Sequence, residues 1–232
     1  MLQPMYLPWM GFFGMMDTAD TFVYYDDVQF SKQSWQQRNR IRSTNGDVLW
    51  LTIPIKQDHG QRICDTRIEA SSPWRKKHWK SIETSYCKAP FFGSYAADIE
   101  AVYSREWESV AELNIELTET LRRLIGARSP KILRSSQMAE IVGSKEERLL
   151  NLLELIGTDE YVSGPAAKDY INTKDFADRG IKLYWFEFAH PQYSQYIGEF
   201  VPYLSVIDLL FNVGERSLNY IREGSSNALR TA

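Results

Sequence analysis

The chain alternates short apolar runs that suit strands with longer stretches whose apolar residues fall three or four apart, as on one face of a helix. Residues 21–26 (Thr-Phe-Val-Tyr-Tyr-Asp) read as a buried strand ending in acid. Residues 48–55 read as a second, introduced by the Asn45-Gly46 turn. Pro54 marks an edge or a strand end, because it has no N–H to give a ladder. Residues 65–69 are a candidate third strand. Ser71 or Ser72 as cap and Pro73 in the first turn predict a helix running to about Cys87 and stopping before Pro90. Residues 98–126 predict one long helix, with Val110, Leu113, Leu117, Leu121 and Leu124 on a stripe. Residues 130–133 suit a strand. Ser144 and Glu147 form a capping box that opens a helix over 145–156. Residues 160–163 lead as a strand into Gly164, 181–188 alternate as a strand should, and 205–212 suit a final apolar helix.

Strands interleaved with helices predict an α/β fold: a mostly parallel, Rossmann-like sheet with a helical C-terminal half. The expectation is a single domain over residues 1–223, with 224–232, small and polar, as a disordered tail. A parallel sheet with a loop at Gln3 would want a strand before it. Met1-Leu2 is too short for one, so the start is expected to be cut short.

Composition narrows the class. At 232 residues with 44% hydrophobic content, a sizeable core is available. A formal net charge of -3 argues against a nucleic-acid partner, which would call for a basic excess. Cys64 and Cys87 are the only cysteines and give no disulfide framework; together with the lack of a signal peptide or a long apolar run this predicts a cytoplasmic protein without membrane association. Aromatics reach 13%, more than a core alone requires, and Trp and Tyr suit pocket walls because each joins an apolar body to a polar tip.

The candidate chemistry is densest at the start. Gln3, Tyr6 and Trp9 lie in a loop stiffened by Pro4 and Pro8, at what would be the carboxyl edge of the sheet, where open α/β sheets bind ligands. Asp26, Asp27 and Gln29 end the next strand and could take a sugar hydroxyl or an ammonium, or stand as a solvated acidic turn; a metal would need more ligands than are in view. Trp35, Arg38 and Asn39 offer stacking, a fork for phosphate or carboxylate, and an amide. Lys76, Lys77 and His78 sit in the most basic stretch, with Trp74, His78 and Ile82 on one helical stripe. Ser163 and Gly164 leave a strand for a loop, without the G-x-S-x-G elbow of a serine hydrolase. His190 follows a strand directly and is the best general-base candidate of the three histidines, although capping a loop would explain it equally well; His59, in a polar loop, looks incidental. Asp208 and Asn212 lie on the apolar helix after Ser205, where Asp208 suits either the helix dipole or a buried site.

Together these segments resemble a known family. Gln-Pro-x-Tyr-Leu-Pro-Trp-x-Gly-Phe-Phe from Gln3, Asp-Asp-Val-Gln-Phe from Asp26, Trp-Gln-x-Arg-Asn-Arg-Ile from Trp35 and Trp-x-Lys-x-His-Trp from Trp74 are four of its motifs. Glu112-Leu113-Asn114, Tyr161-x-Ser163-Gly164 and Ser-x-x-Asp-Leu-Leu-Phe-Asn-x-Gly from Ser205 complete a pattern similar to the WbqC-like protein family. The resemblance implies a role in bacterial O-antigen or other surface-polysaccharide pathways, with transfer of an acyl or aminoacyl group onto a nucleotide-linked amino sugar. On that reading His190, His78 and Asp26 are the candidate catalytic residues. Gln3, Tyr6, Trp9, Gln29, Trp35, Arg38, Asn39, Lys76, Lys77, Ser163, Gly164, Asp208 and Asn212 are the candidate binding residues. The implied partners are a nucleotide sugar and an acyl or aminoacyl donor; the residues call for neither a metal nor a resident cofactor. A non-catalytic nucleotide-sugar binder is the alternative. A degenerate nucleotidyltransferase is a third option, since Pro8-Trp9-Met10-Gly11-Phe12 falls where such folds carry His-x-Gly-His.

Overall fold

A computed structural model describes residues 1–56 and 60–232. His59 therefore lies outside the described residues.

Among the described residues, seven short strands are interspersed with eight α-helices. Helix α1 (Met10–Thr18) is followed by β1 (Thr21–Tyr24), which pairs in parallel with β4 (Lys131–Arg134), while Leu2 bridges to Tyr24 on β1, also in parallel. Strands β2 (Arg38–Arg42) and β3 (Val48–Thr52) form an antiparallel hairpin about the Asn45-Gly46 turn, where Gly46 takes φ 89°. Strand β5 (Glu160–Ser163) pairs in parallel with β6 (Lys182–Phe186), and β6 pairs antiparallel with β7 (Leu229–Thr231). The fold is thus mixed α/β, but the sheets among the described residues are three and small. Two of the four strand pairings run antiparallel, so a single mostly parallel Rossmann-like sheet does not form among the described residues.

The helices also depart from the simple expectation. Helix α2 (Trp74–Tyr86) starts where Pro73 places it and buries Trp74, His78 and Ile82 on one stripe. The long helix expected over 98–126 is two: α3 (Phe92–Ser104) and α4 (Val110–Ile125), the latter capped by the Ser109 hydroxyl, which accepts from the Glu112 N–H. Helix α5 (Lys145–Ile156) forms as its capping box suggests, although the Ser144 side chain makes no cap bond. Residues 63–65 are a 3-10 turn rather than the start of a strand. After α6 (Thr173–Asp178) and β6 comes α7 (Val206–Val213), and it is not the last helix. Helix α8 (Ser217–Ser225) follows and packs on α1, and β7 closes the chain on β6. Residues 224–225 end α8 and 229–231 form β7, and the C-terminal half holds the short strands β4 to β7 among its helices α5 to α8.

The main core gathers α1, α2, α3, α4 and α7 around Tyr6, Phe12, Tyr86 and Phe211, all fully buried. A second cluster, with Phe176 and Trp185, fills the space between α5, α6 and the β5–β6 pair. Among the described residues no helix is long and apolar enough to cross a membrane.

Candidate functional site

The proline-rich loop before α1 exposes carbonyls that its own backbone cannot pair, because prolines bring no N–H. Buried amide side chains supply the donors. Asn39 Nδ2 donates to the Tyr6 carbonyl at 3.1 Å and the Leu7 carbonyl at 2.7 Å, while its Oδ1 accepts the Arg40 N–H at 2.7 Å. Leu7 is held there at φ 45°, the left-handed region a branched side chain avoids. Gln36 donates to Gln3 Oε1 at 2.7 Å, and Asn114 Nδ2 donates to the Gln36 carbonyl at 2.8 Å, leaving Asn114 Oδ1 buried without a partner. Gln3 and Asn39 are thereby committed to shaping the loop.

Behind it, the Tyr6 hydroxyl lies 2.8 Å from His78 Nδ1 and 2.5 Å from the Tyr103 hydroxyl, all three side chains being buried. Burial pushes both phenols up and pushes His78 down to about 4, so its imidazole is neutral at physiological pH.

The outward side differs in character. In the β2–β3 register Arg40 stands opposite Trp50, so one hairpin face carries Arg38, Arg40 and Trp50, while Asn39 and Ile41 face the core with Leu51 and Leu49. Trp35 stacks on Trp50 with centroids 5.6 Å apart, yet the two indoles are 43% and 42% exposed. The Arg38 guanidinium lies 4.5 Å over the Trp50 ring and makes no hydrogen bond or ion pair among the described residues. Arg40 lies 5.6 Å over Trp35, gives Nη2 to the Tyr203 carbonyl at 2.9 Å, and keeps Nε buried without a partner. The face continues through Tyr203 to His190 at 4.8 Å and Trp9 at 5.6 Å between centroids, and Trp9 is parallel to the His190 ring at 6.2 Å. Trp9 can lie flat because Gly11 has no Cβ; one built there would overlap the indole.

His190 is half-buried, and burial lowers its pKa. Its Nε2 accepts the Tyr203 N–H at 3.1 Å, so the proton sits on Nδ1, which donates to the Pro191 carbonyl at 2.9 Å. Both ring nitrogens thus hold the long connection between β6 and α7. Asp208 and Asn212 hold that connection from below. Asp208 accepts from Tyr193 at 2.7 Å, Tyr86 at 2.8 Å and Gln195 at 2.9 Å, with burial raising its pKa, and Asn212 Oδ1 accepts the Tyr196 N–H at 2.7 Å.

The remaining candidates lie elsewhere. Asp26 is fully buried, pairs with Arg134 at 2.8 Å and accepts from the Ser136 N–H at 2.9 Å, while Asp27 pairs with Arg148. Gln29 is exposed and bridges by its backbone to Arg62. Ser163 is buried at the end of β5 before Gly164. Lys76 and Lys77 are exposed on α2 and border a separate groove. Trp9, Trp35, Arg38 and His190 thus share one surface, whereas Asp26, Ser163 and the lysines are not drawn into it. Among the described residues no cluster of three or more acids, histidines or cysteines could hold a metal ion.

The model of the WbqC-like protein family matches residues 3–220. The chain belongs to the WbqC-like protein family. It is 35% identical over 229 residues to an uncharacterized protein of Mycobacterium tuberculosis, Rv1507c, covering 95% of this chain and 96% of that one. No solved structure matches it.

In this WbqC-like chain, what the surface can do chemically follows from its composition. Stacked indoles accept a planar base or the apolar face of a sugar, and guanidiniums beside them accept phosphate oxygens. Sequence reasoning missed Trp50, Arg40 and Tyr203 as members of this surface. The first two depend on register: the hairpin turns over three residues, 44–46, closed by the Ser43 N–H to the Asp47 carbonyl, which sets Arg40 opposite Trp50, whereas a two-residue turn at Asn45-Gly46 would have set it opposite Leu51. Tyr203 comes from a connection with no periodicity to read.

Proposed function

We propose that this protein is a transferase that binds a nucleotide-linked amino sugar and passes an acyl or aminoacyl group to its amine. The observation that carries the reading is the Trp35–Trp50 stack, open to solvent and flanked by Arg38 and Arg40. Folding alone gives no reason to leave two adjacent indoles outside. The base stacks on the indoles, the diphosphate meets the two guanidiniums, and the sugar points along the surface toward Tyr203, Trp9 and His190. Kinship with the WbqC-like family favours a surface-polysaccharide pathway and, with it, the cytoplasm.

In the reaction the sugar amine attacks the carbonyl of the activated donor, a C–N bond forms, the donor's leaving group departs, and the amine proton passes to a base. His190 takes that role by exchanging the Tyr203 N–H for the amine at Nε2; its lowered pKa keeps it unprotonated and ready. His78 and Asp26 act by position, His78 by fixing Tyr6 and Asp26 by fixing the start of the segment after β4.

A second reading, a non-catalytic nucleotide-sugar binder, is favoured by the same bonds, since both nitrogens of His190 are already occupied. The test is titration with a UDP-linked amino sugar followed by product analysis with thioester and adenylate donors. Binding that Trp50→Ala or Arg38→Ala weakens about tenfold, with a new amide in the product, supports the transferase. Binding without turnover under every donor favours the second reading. No binding by a folded protein rejects both.

A further inference from the structure

A groove of about 810 Å³ runs between α2 and the turn end of the β2–β3 hairpin, within the size range of small-molecule sites. Its charged lining is of one sign: Lys76, Lys77 and Lys80, with no carboxylate. Lys76 and Lys77 make no ion pair among the described residues, and Lys80 meets only Glu83, at 2.8 Å, which lies outside the lining. This uncompensated cluster stands on a chain of net charge -3, so it is a local departure from the average rather than part of a basic surface. Thr44 and Thr84 add hydroxyls to the lining, and Leu49 and Pro73 add apolar surface. A neighbouring groove of about 890 Å³ on the far side of the start of α2 is unlike it, mixing Arg75 with Glu100, Glu106 and Glu108.

We infer that the lysine groove is a second binding site, taking a small organic molecule that carries two or more phosphates. Ammonium groups at its wall meet the phosphates as point charges, the threonine hydroxyls donate to the remaining oxygens, and the apolar surface covers the organic part. A cation or a metal is excluded by the sign of the lining. The groove is distinct from the indole face, because Leu49 and Trp50 are consecutive on β3 and point to opposite sides of the hairpin. The inference stands whether or not the indole face binds a nucleotide sugar.

The test uses the full chain and three probes: inorganic tripolyphosphate, coenzyme A and UDP. Lys77→Gln/Lys80→Gln is the variant, since both lysines border this groove alone of the two, and Trp50→Ala is the control. The expected result is that the double variant weakens tripolyphosphate binding about tenfold or more, while Trp50→Ala leaves it unchanged. Coenzyme A following the same pattern identifies an organic polyphosphate as the ligand class, and coenzyme A failing to bind removes that class. UDP lost with Trp50→Ala but kept by the double variant separates the two sites. The inference is overturned if wild type binds no tripolyphosphate at low salt, if the double variant binds it as tightly as wild type, or if Trp50→Ala abolishes it equally. Should the charge change disturb folding, Thr84→Val in the same wall gives a second, uncharged reading of the loss.

Discussion

Asn39→Ala separates a scaffold role from a ligand contact. Asn39 is a candidate binding residue from the sequence, but its amide is buried and spent on the Tyr6 and Leu7 carbonyls and the Arg40 N–H. Truncation leaves two acceptors on fully buried residues without donors, at about 1–3 kcal/mol each. It also releases the clamp on Leu7, whose left-handed backbone stores about 1–2 kcal/mol that the surrounding bonds must hold. The expected loss is about 3 kcal/mol or more, a large part of the 5–15 kcal/mol typical of a folded chain. At about 2–4 °C per kcal/mol for a protein of this size, Tm should fall by about 6–12 °C. Urea unfolding followed by tryptophan fluorescence measures the loss directly, and an unchanged m-value would show that the denatured state is not the cause. Asn39→Asp is the companion. It keeps the acceptor for the Arg40 N–H but sets a carboxylate against two carbonyl oxygens, so its destabilisation should ease as the pH falls and the acid takes a proton. A loss below about 1 kcal/mol in Asn39→Ala would refute the clamp, and a loss of ligand affinity with stability intact would return Asn39 to the substrate.

Asp26→Asn should cost about 3–5 kcal/mol in the same unfolding assay, because Arg134 keeps its charge where it has lost a buried partner; a change under about 1 kcal/mol would show that Glu112 and solvent suffice for Arg134. His78 carries a pH signature: the unfolded chain takes its proton near 6.5 and the folded one only at about 4, so stability is full above 6.5 and declines as pH falls from there toward 4. His78→Gln should remove that part of the decline in a stability-versus-pH series, and an identical slope in both proteins would contradict the buried neutral imidazole. Asp208 acts with the opposite sign, since a raised carboxyl pKa means that its ionisation penalises folding as pH climbs above the unfolded value of about 3.9. The cost of Asp208→Asn should therefore be largest in acid and shrink toward neutrality; a cost that grows with pH would show the carboxylate to be the favoured form.

Local signals read well from the chain and non-local ones did not. The α2 stripe of Trp74, His78 and Ile82 follows from helical spacing alone, and the hairpin follows from Asn45-Gly46. The break between α3 and α4 carries no glycine or proline. It is stabilised instead by Trp107, whose indole N–H reaches back to the Val102 carbonyl, and by the Ser109 cap. The end of the chain is polar enough to suggest disorder, yet residues 229–231 find an edge on β6 that only the folded protein offers. At the site, Trp9 and His190 come together as the position of each at an element boundary suggested. The surroundings of Asp26 were not legible for a physical reason: its partner Arg134 is 108 residues away, and nothing in the sequence near residue 26 indicates that a cation arrives there. The buried lining of Asp208 by two tyrosines is non-local on one side, through Tyr86, and hidden in an aperiodic connection on the other, through Tyr193.

The account rests on the open indole pair and its arginines being where the ligand's nucleotide lies. A crystal structure of the protein grown with a UDP-linked amino sugar tests this most directly. The base should lie on Trp50 or Trp35, with diphosphate oxygens on the Arg38 and Arg40 guanidiniums and the sugar directed toward His190. Ordered ligand on any other surface, with the indoles still bare to solvent, would contradict it.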